Sequence, residues 1–128
     1  MSPSDGYMAP GIAGSGTIAC GLAACASALG EVRLLARSDA SAWRAEEQAQ
    51  KAAGKLEGAV AGHIKVTTDP EALGGCDLIV EAIAEDAAAK AELLASLAAL
   101  APDAAMASTT SSLSIATLAE RAGISGRL

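Results

Sequence analysis

Short apolar runs alternate with longer alanine-rich stretches of helical period along this chain of 128 residues. Residues 32–36 (Val-Arg-Leu-Leu-Ala) are brief and mostly apolar, as expected of a parallel strand covered on both faces. Residues 64–68 (Ile-Lys-Val-Thr-Thr) alternate in a β-branched run. Residues 76–83 (Cys-Asp-Leu-Ile-Val-Glu-Ala-Ile) are the strongest strand signal, with a Leu-Ile-Val centre suited to the middle of a sheet. Residues 104–108 add a short last strand. Between the strands lie helices. Ile18, Gly21, Leu22, Cys25, Ala26 and Leu29 recur at i, i+3, i+4, i+7, i+8 and i+11, which predicts one apolar helical face ending at Gly30 and puts Cys25 in the core. Residues 40–60 are rich in Ala, Glu, Gln and Lys and are thinned by Gly54, Gly58 and Gly62, which reads as one frayed or broken helix. Residues 70–73 suit a single helical turn. Residues 87–101 predict a helix with Leu93, Leu97 and Leu100 on one face, stopped by Pro102. Ile115, Leu118, Ala119 and Ala122 line a last helix, preceded by Thr109-Thr110-Ser111-Ser112, a polar cluster placed to cap it.

Strands alternating with helices argue for a parallel sheet with helices on both faces. The turn after the first strand, Gly14-Ser15-Gly16-Thr17-Ile18-Ala19-Cys20-Gly21, adds chemistry. Gly14 permits the tight strand-to-helix turn, Gly16 lets backbone N–H groups approach a pyrophosphate, and Ala19 fills the third position, where only a small residue packs against the sheet. The helix N-terminus beyond it offers a partial positive charge to the diphosphate. The expected fold is therefore α/β, a Rossmann-type, doubly wound and mostly parallel sheet in one domain over residues 11–128, after a flexible N-terminal segment at residues 1–10. The first strand fits least well. It should be central, yet it contains Pro10 and Gly11, and proline cannot donate to a ladder in mid-sheet. On that account either the strand shortens to residues 11–13 or this end of the chain is unusual.

Composition narrows the partners. With 9 Lys+Arg against 15 Asp+Glu the net charge is -6, which offers no basic field to nucleic acid or an anionic membrane. Half of the apolar content is alanine, and no run approaches the ~20 apolar residues of a membrane span. Residues 1–10 lack the charged start and apolar centre of a secretory signal, so a cytoplasmic protein is expected. Cys20, Cys25 and Cys76 form neither a disulfide framework nor a metal pattern, and His63 is the only histidine, so no metal site is expected.

Three ordered segments resemble the N-terminal, nucleotide-binding domain of the 3-hydroxyacyl-CoA dehydrogenases, the group that includes 3-hydroxybutyryl-CoA dehydrogenase. Gly14-Ser15-Gly16-Thr17-Ile18 followed by Gly21-Leu22-Ala23 is similar to the family's Gly-x-Gly-Thr-Met-Gly-x-Gly-Ile-Ala turn. Asp77-Leu78-Ile79-Val80-Glu81-Ala82-Ile83-Ala84-Glu85-Asp86, with Lys90 and Glu92-Leu93, is similar to its Asp-Leu-Val-Ile-Glu-Ala-Val-x-Glu segment and the helix after it. Ala107-Ser108-Thr109-Thr110-Ser111-Ser112-Leu113-Ser114-Ile115 resembles its Ala-Ser-Asn-Thr-Ser-Ser-Leu-x-Ile. The resemblance implies NAD-linked oxidation of the 3-hydroxyl of an acyl-CoA, or the reverse reduction. By position it implies Glu85 and Lys90 on the nicotinamide side, Thr109 in place of the family's asparagine, and Ser111 hydrogen-bonded to the reacting oxygen of the substrate. From the residues alone, Ser111 and Ser112 read equally as helix caps, Glu81 and Glu85 as a solvated rim at a strand end, and Lys90 as a surface lysine.

The resemblance also implies what lies outside this chain. The family's His-Phe-Phe-Asn-Pro segment, which carries the general base, and its helical C-terminal domain, through which a homodimer would form, come after the point where this sequence stops. The expectation is thus a truncated domain that binds cofactor without turning over by itself. His63, ahead of the third strand, sits at the wrong edge of the sheet to replace the base. Cofactor choice departs from the family as well. Where an NAD site places a carboxylate at the end of strand two, this chain has Ala36-Arg37-Ser38, and a guanidinium with a hydroxyl suits a 2′-phosphate, hence NADP. If strand two runs longer, Asp39 takes the ribose role and NAD is restored. Trp43 edges the adenine pocket or, the favoured reading, packs under the long helix. Two other functions stay open: a non-catalytic nucleotide-binding or redox-sensing module, and the cofactor domain of another hydroxyacid dehydrogenase, since fold alone does not set substrate.

Overall fold

The computed structural model describes residues 9–128, so residues 1–8 of the expected flexible segment lie outside the described residues. Five strands, β1 (Pro10–Ala13), β2 (Val32–Leu35), β3 (Ile64–Thr67), β4 (Leu78–Glu81) and β5 (Ala105–Ser108), pair in parallel in the order β3-β2-β1-β4-β5. Four helices connect and cover them: α1 (Thr17–Ser27), α2 (Asp39–Gly54), α3 (Ala87–Leu100) and α4 (Ile115–Ala122). The strand order reverses beside β1, and the carboxyl ends of β1 and β4 therefore frame the crevice in which such sheets bind ligands. This is the Rossmann-like α/β architecture that the alternation of elements predicts.

Strand period two sorts the side chains into two cores. Ile12, Val32, Leu34 and Ile64 face α1 and α2, where they meet Ala19, Cys20, Ala23, Ala24, Ala45, Ala49 and Ala53. Ala13, Leu35, Ile79 and Met106 face α3 and α4, where they meet Leu94, Leu97, Leu118, Ala119 and Ala122. One face is packed with small residues and the other with leucines.

Pro10 causes no break, because it is the first residue of β1 and pairs only with β4; the register with β2 begins at Gly11. Gly11 is required by crowding. A Cβ there would lie 2.8 Å from the Cys76 Sγ and 3.1 Å from the Leu73 Cγ. The turn at residues 70–73 is a 3₁₀ turn, capped by Asp69, whose carboxylate accepts from the Glu71 amide at 3.0 Å. At the far edge, the Arg127 guanidinium donates to the carbonyls of Ala98, Ala101 and Ala104 at 2.7–3.1 Å, fastening the C-terminal segment to the end of α3.

Several expected faces are corrected. The buried stripe of α1 is Ala19, Cys20, Ala23, Ala24 and Ser27, whereas Ile18 and Leu29 are exposed. Cys25 is exposed too, and not a core residue. Against a sheet the helix approaches closely only through small side chains, so bulky residues fall to its flanks. In α3 the fully buried leucines are Leu94 and Leu97, with Leu93 and Leu100 only partly covered. The long helix ends at Gly54, short of the expected residue 60, and the chain turns through Gly58 at φ +87°. Trp43 projects from α2 into solvent at 75% exposure, so it packs under nothing. Thr109 to Ser112 do not cap α4; Ser114 does, accepting from the Thr117 amide at 3.3 Å.

His63 stands at the amino-terminal end of β3, away from the crevice, with its Nδ1 2.8 Å from the Ser27 carbonyl oxygen. The Ser27 hydroxyl accepts from the Val60 amide at 3.0 Å, so the pair ties the end of α1 to the segment entering β3. The thiols give a direct check of the α1 face. Burial pushes the Cys20 and Cys76 thiols up from their ordinary range, and both are covered. In the native chain a thiol reagent should therefore modify Cys25 alone, and all three cysteines should react only in denaturant, as read by mass spectrometry.

Candidate functional site

The crevice is a cleft of about 850 Å³ over the carboxyl ends of β1 and β2 and the segment after β4. Gly14, Gly16, Thr17 and Ile18 form its floor; Arg37 and Arg44 lie on the β2 side, Ala82, Ile83 and Thr109 on the β4 side. Gly14 has φ +147°, a conformation that favours glycine, and a Cβ there would collide with the Ala82 carbonyl oxygen. Ala19 is fully buried directly beneath, 3.4 Å from the position of that Cβ. A Cβ on Gly16 would meet nothing within 4 Å, since it faces the open cleft. Side chains cap α2, α3 and α4, through Ser38, Asp86 and Ser114, but Gly16 leaves α1 with no side-chain cap and no acidic residue in its first turn. Its free amides and positive dipole end thus point at the cleft, and the donor set fits a diphosphate.

Beside this floor lies a network built on Glu81. The register pairs Glu81 on β4 with Ser108 on β5, so their side chains share the α3 face of the sheet. Glu81 is fully buried; one carboxylate oxygen accepts from the Ser108 hydroxyl at 2.5 Å, the other from the Lys90 ammonium at 2.6 Å and the Ile83 amide at 2.8 Å. Lys90, 1% exposed, also donates to the Ile83 carbonyl at 3.0 Å. Glu81 is therefore no solvated rim residue and Lys90 no surface lysine.

Glu85 continues the network outward, 3.5 Å from the Lys90 ammonium. Its carboxylate accepts from the Thr110 hydroxyl at 2.8 Å, from the Ser111 and Ser112 amides at 3.0 and 3.1 Å, and from the Ser112 hydroxyl at 2.8 Å. The Ser111 hydroxyl is 3.5 Å away, at the limit of a hydrogen bond. These donors, the Thr110 and Ser112 hydroxyls foremost, hold the Glu85 carboxyl down to about 2 from its ordinary 4.5.

Of the expected binding residues, Gly14, Gly16, Thr17, Ile18, Arg37 and Thr109 line the cleft. Ala19 lies under its floor, and Glu85, Lys90 and Ser111 form the adjoining network. Ser38 stands outside, its hydroxyl capping α2 by accepting from the Ser41 amide at 3.1 Å. Asp39 opens α2 and does not reach the cleft lining; neither does Trp43. Ser41, Arg44 and Gln48 do line it, and Gln48 donates to the Thr17 hydroxyl at 3.0 Å. Their i, i+3, i+7 spacing marks one stripe of α2 and was available in the sequence. Ser108, the partner of Glu81, carried no signal of its own.

Two outcomes follow for the network. Lys90→Met leaves the Glu81 carboxylate buried without its counter-charge, and should cost about 3–5 kcal/mol in urea unfolding, with part recovered in the Glu81→Gln/Lys90→Met double variant. For Glu85 the depressed folded value sets the sign: its contribution to stability is present above 4.5 and is lost as pH falls toward about 2. Glu85→Gln should therefore flatten the unfolding profile in that acid window and leave its shape near neutrality unchanged.

Solved structures share this fold. FadB2 of M. tuberculosis superposes with a TM-score of 0.83 at 29% identity, over 94% of this chain and 47% of that one. The (S)-3-hydroxybutyryl-CoA dehydrogenase PaaH1 of Ralstonia eutropha gives 0.81 at 28%, over 94% and 46%. A 3-hydroxyacyl-CoA dehydrogenase of Archaeoglobus fulgidus gives 0.76 at 30%, over 89% and 38%. The chain thus spans less than half the length of these relatives. No curated protein matches it in sequence. Residues 10–128 match the family described as 3-hydroxyacyl-CoA dehydrogenase, NAD binding domain, and with the uncapped α1, the glycine floor and the five-stranded parallel sheet already in place, the chain belongs to that family as its NAD-binding domain.

Proposed function

We propose that this chain is the cofactor-binding part of an enzyme that oxidises the 3-hydroxyl of an acyl-CoA to the ketone, or runs the reverse reduction. The observation that carries the reading is the contrast between two adjacent serines. The Ser112 hydroxyl is spent on Glu85 at 2.8 Å, whereas the Ser111 hydroxyl, at 3.5 Å, remains available to a ligand. With the diphosphate at the N-terminus of α1 and the adenosine toward β2, the nicotinamide falls toward the ends of β4 and β5, beside Ser111. A bound nicotinamide ring supplies the hydride acceptor or donor.

The residues of this chain then position and polarise. Glu85 fixes the turn at residues 110–112 through two amides, so the backbone that carries Ser111 is held in place. Its hydroxyl donates to the reacting oxygen as alkoxide character develops there, or accepts from the alcohol. The alcohol proton goes to a general base outside these 128 residues, which the family resemblance makes a histidine. The family's cofactor is NAD(H); Arg37, next to Ala36 at the place of the ribose-binding carboxylate, favours NADP(H).

The test joins this chain to the helical C-terminal domain of a solved relative and follows oxidation of the reduced dinucleotide by acetoacetyl-CoA. The joined protein should be active and the 128-residue chain alone inactive. Ser111→Ala should lower kcat by about 10²–10³ with cofactor affinity unchanged, and Ser112→Ala should act mainly on stability. Cofactor binding without reduction of any 3-oxoacyl-CoA would replace this reading with a nucleotide-binding module.

A further inference from the structure

We infer that the β2 side of the cleft is a binding site for the 2′-phosphate of NADP(H), formed by Arg37 together with Arg44. The inference rests on the dinucleotide reading of the cleft and adds which dinucleotide it selects. The chain is acidic, with 15 Asp+Glu against 9 Lys+Arg. Yet among the described residues that line the cleft, the charged ones are Arg37 and Arg44, and none is Asp or Glu. A protein of net charge -6 has cleared its carboxylates from this one wall.

The two arginines reach the wall from different elements. Arg37 lies two residues past the end of β2, after Ala36, which is 1% exposed. Arg44 lies one turn into α2, on the stripe that also presents Ser41 and Gln48 to the cleft. Both guanidinium-bearing residues are exposed, and neither has a hydrogen bond or ion pair to a carboxylate among the described contacts. Ser41, 5% exposed, also lines the cleft, its hydroxyl accepting from the Ser38 hydroxyl at 3.0 Å.

A carboxylate at this position would accept from the ribose 2′-hydroxyl and repel a 2′-phosphate. Asp39, two residues from Arg37, opens α2, where it complements the helix dipole, and neither it nor Glu46 and Glu47 beyond Arg44 belongs to the cleft lining. A hydroxyl of a free ribose therefore finds no carboxylate here, and two guanidinium groups face it. A dianionic phosphate satisfies them through charge-assisted hydrogen bonds, the pairing for which the arginine fork is suited. Arg44 thus becomes a specificity-determining residue, one that no turn motif marks.

Calorimetric titration of the 128-residue chain with NADPH and with NADH tests this. The expected result is NADPH binding at least roughly tenfold tighter than NADH, with the preference shrinking as salt is raised. Arg37→Ala and Arg44→Ala should each weaken NADPH about tenfold and leave NADH nearly unchanged. Arg37→Asp should reverse the preference; both side chains are exposed, so these variants keep the fold. NADH binding as tight as NADPH, or NADPH binding unaffected by either alanine, would overturn the phosphate site while leaving the dehydrogenase reading in place. Binding of neither dinucleotide would overturn both.

Discussion

A carboxylate with no exposed surface stands at the carboxyl end of β4, and both halves of its surroundings are arranged to keep it there. An isolated charge in that position would cost several kcal/mol, so Glu81 is tolerable only with a counter-charge and a full set of donors. Lys90 supplies the charge from the first turn of α3, and Ser108 and the Ile83 amide fill the remaining lone pairs. Because Lys90 also takes the Ile83 carbonyl, the turn between β4 and α3 is held at its donor and its acceptor. The ion pair thereby ties the end of β4 to the first turn of α3, and the Ser108 hydroxyl ties it to the end of β5.

Glu85 inherits its place from that pair. Standing 3.5 Å from Lys90, it organises the turn at residues 110–112 in the manner of a cap, through amides and hydroxyls. The buried pair makes the site rigid on its inner side, and the exposed carboxylate extends that order to the serines. What Glu85 orders there is the backbone of Ser111 and Ser112 and the Ser112 hydroxyl, while the Ser111 hydroxyl stands 3.5 Å away. The other half of the cleft depends on closeness instead. Gly14 passes so near the Ala82 carbonyl that no Cβ fits, and Ala19 packs below it, which brings the uncapped end of α1 to the cleft floor.

Much of this was readable in the residues. The apolar runs located the strands to within a few positions, Gly14 and Gly16 marked the turn, and the three ordered segments indicated the family before any coordinates. Faces were harder. On and just after α1 the large residues Ile18, Leu22 and Leu29 dominate the periodicity, while the stripe of α1 that packs on the sheet is alanine, cysteine and serine, whose weak hydrophobicity hides it. Lys90 and Glu81 looked like surface charges because, taken singly, that is what lysine and glutamate are.

The sequence by itself determined the order of strands and helices, the glycine floor and the acidic balance, because these follow from local propensity, backbone freedom and composition. Only the tertiary structure decided that Glu81 and Ser108 are neighbours, that Lys90 is buried between them and Glu85, and that Arg44 joins Arg37 on one wall. Those pairings span adjacent strands or separate elements, and they exist only once the parallel register brings the strand ends together. Register is set by the packing of both sheet faces at once, and no local stretch of sequence contains that information.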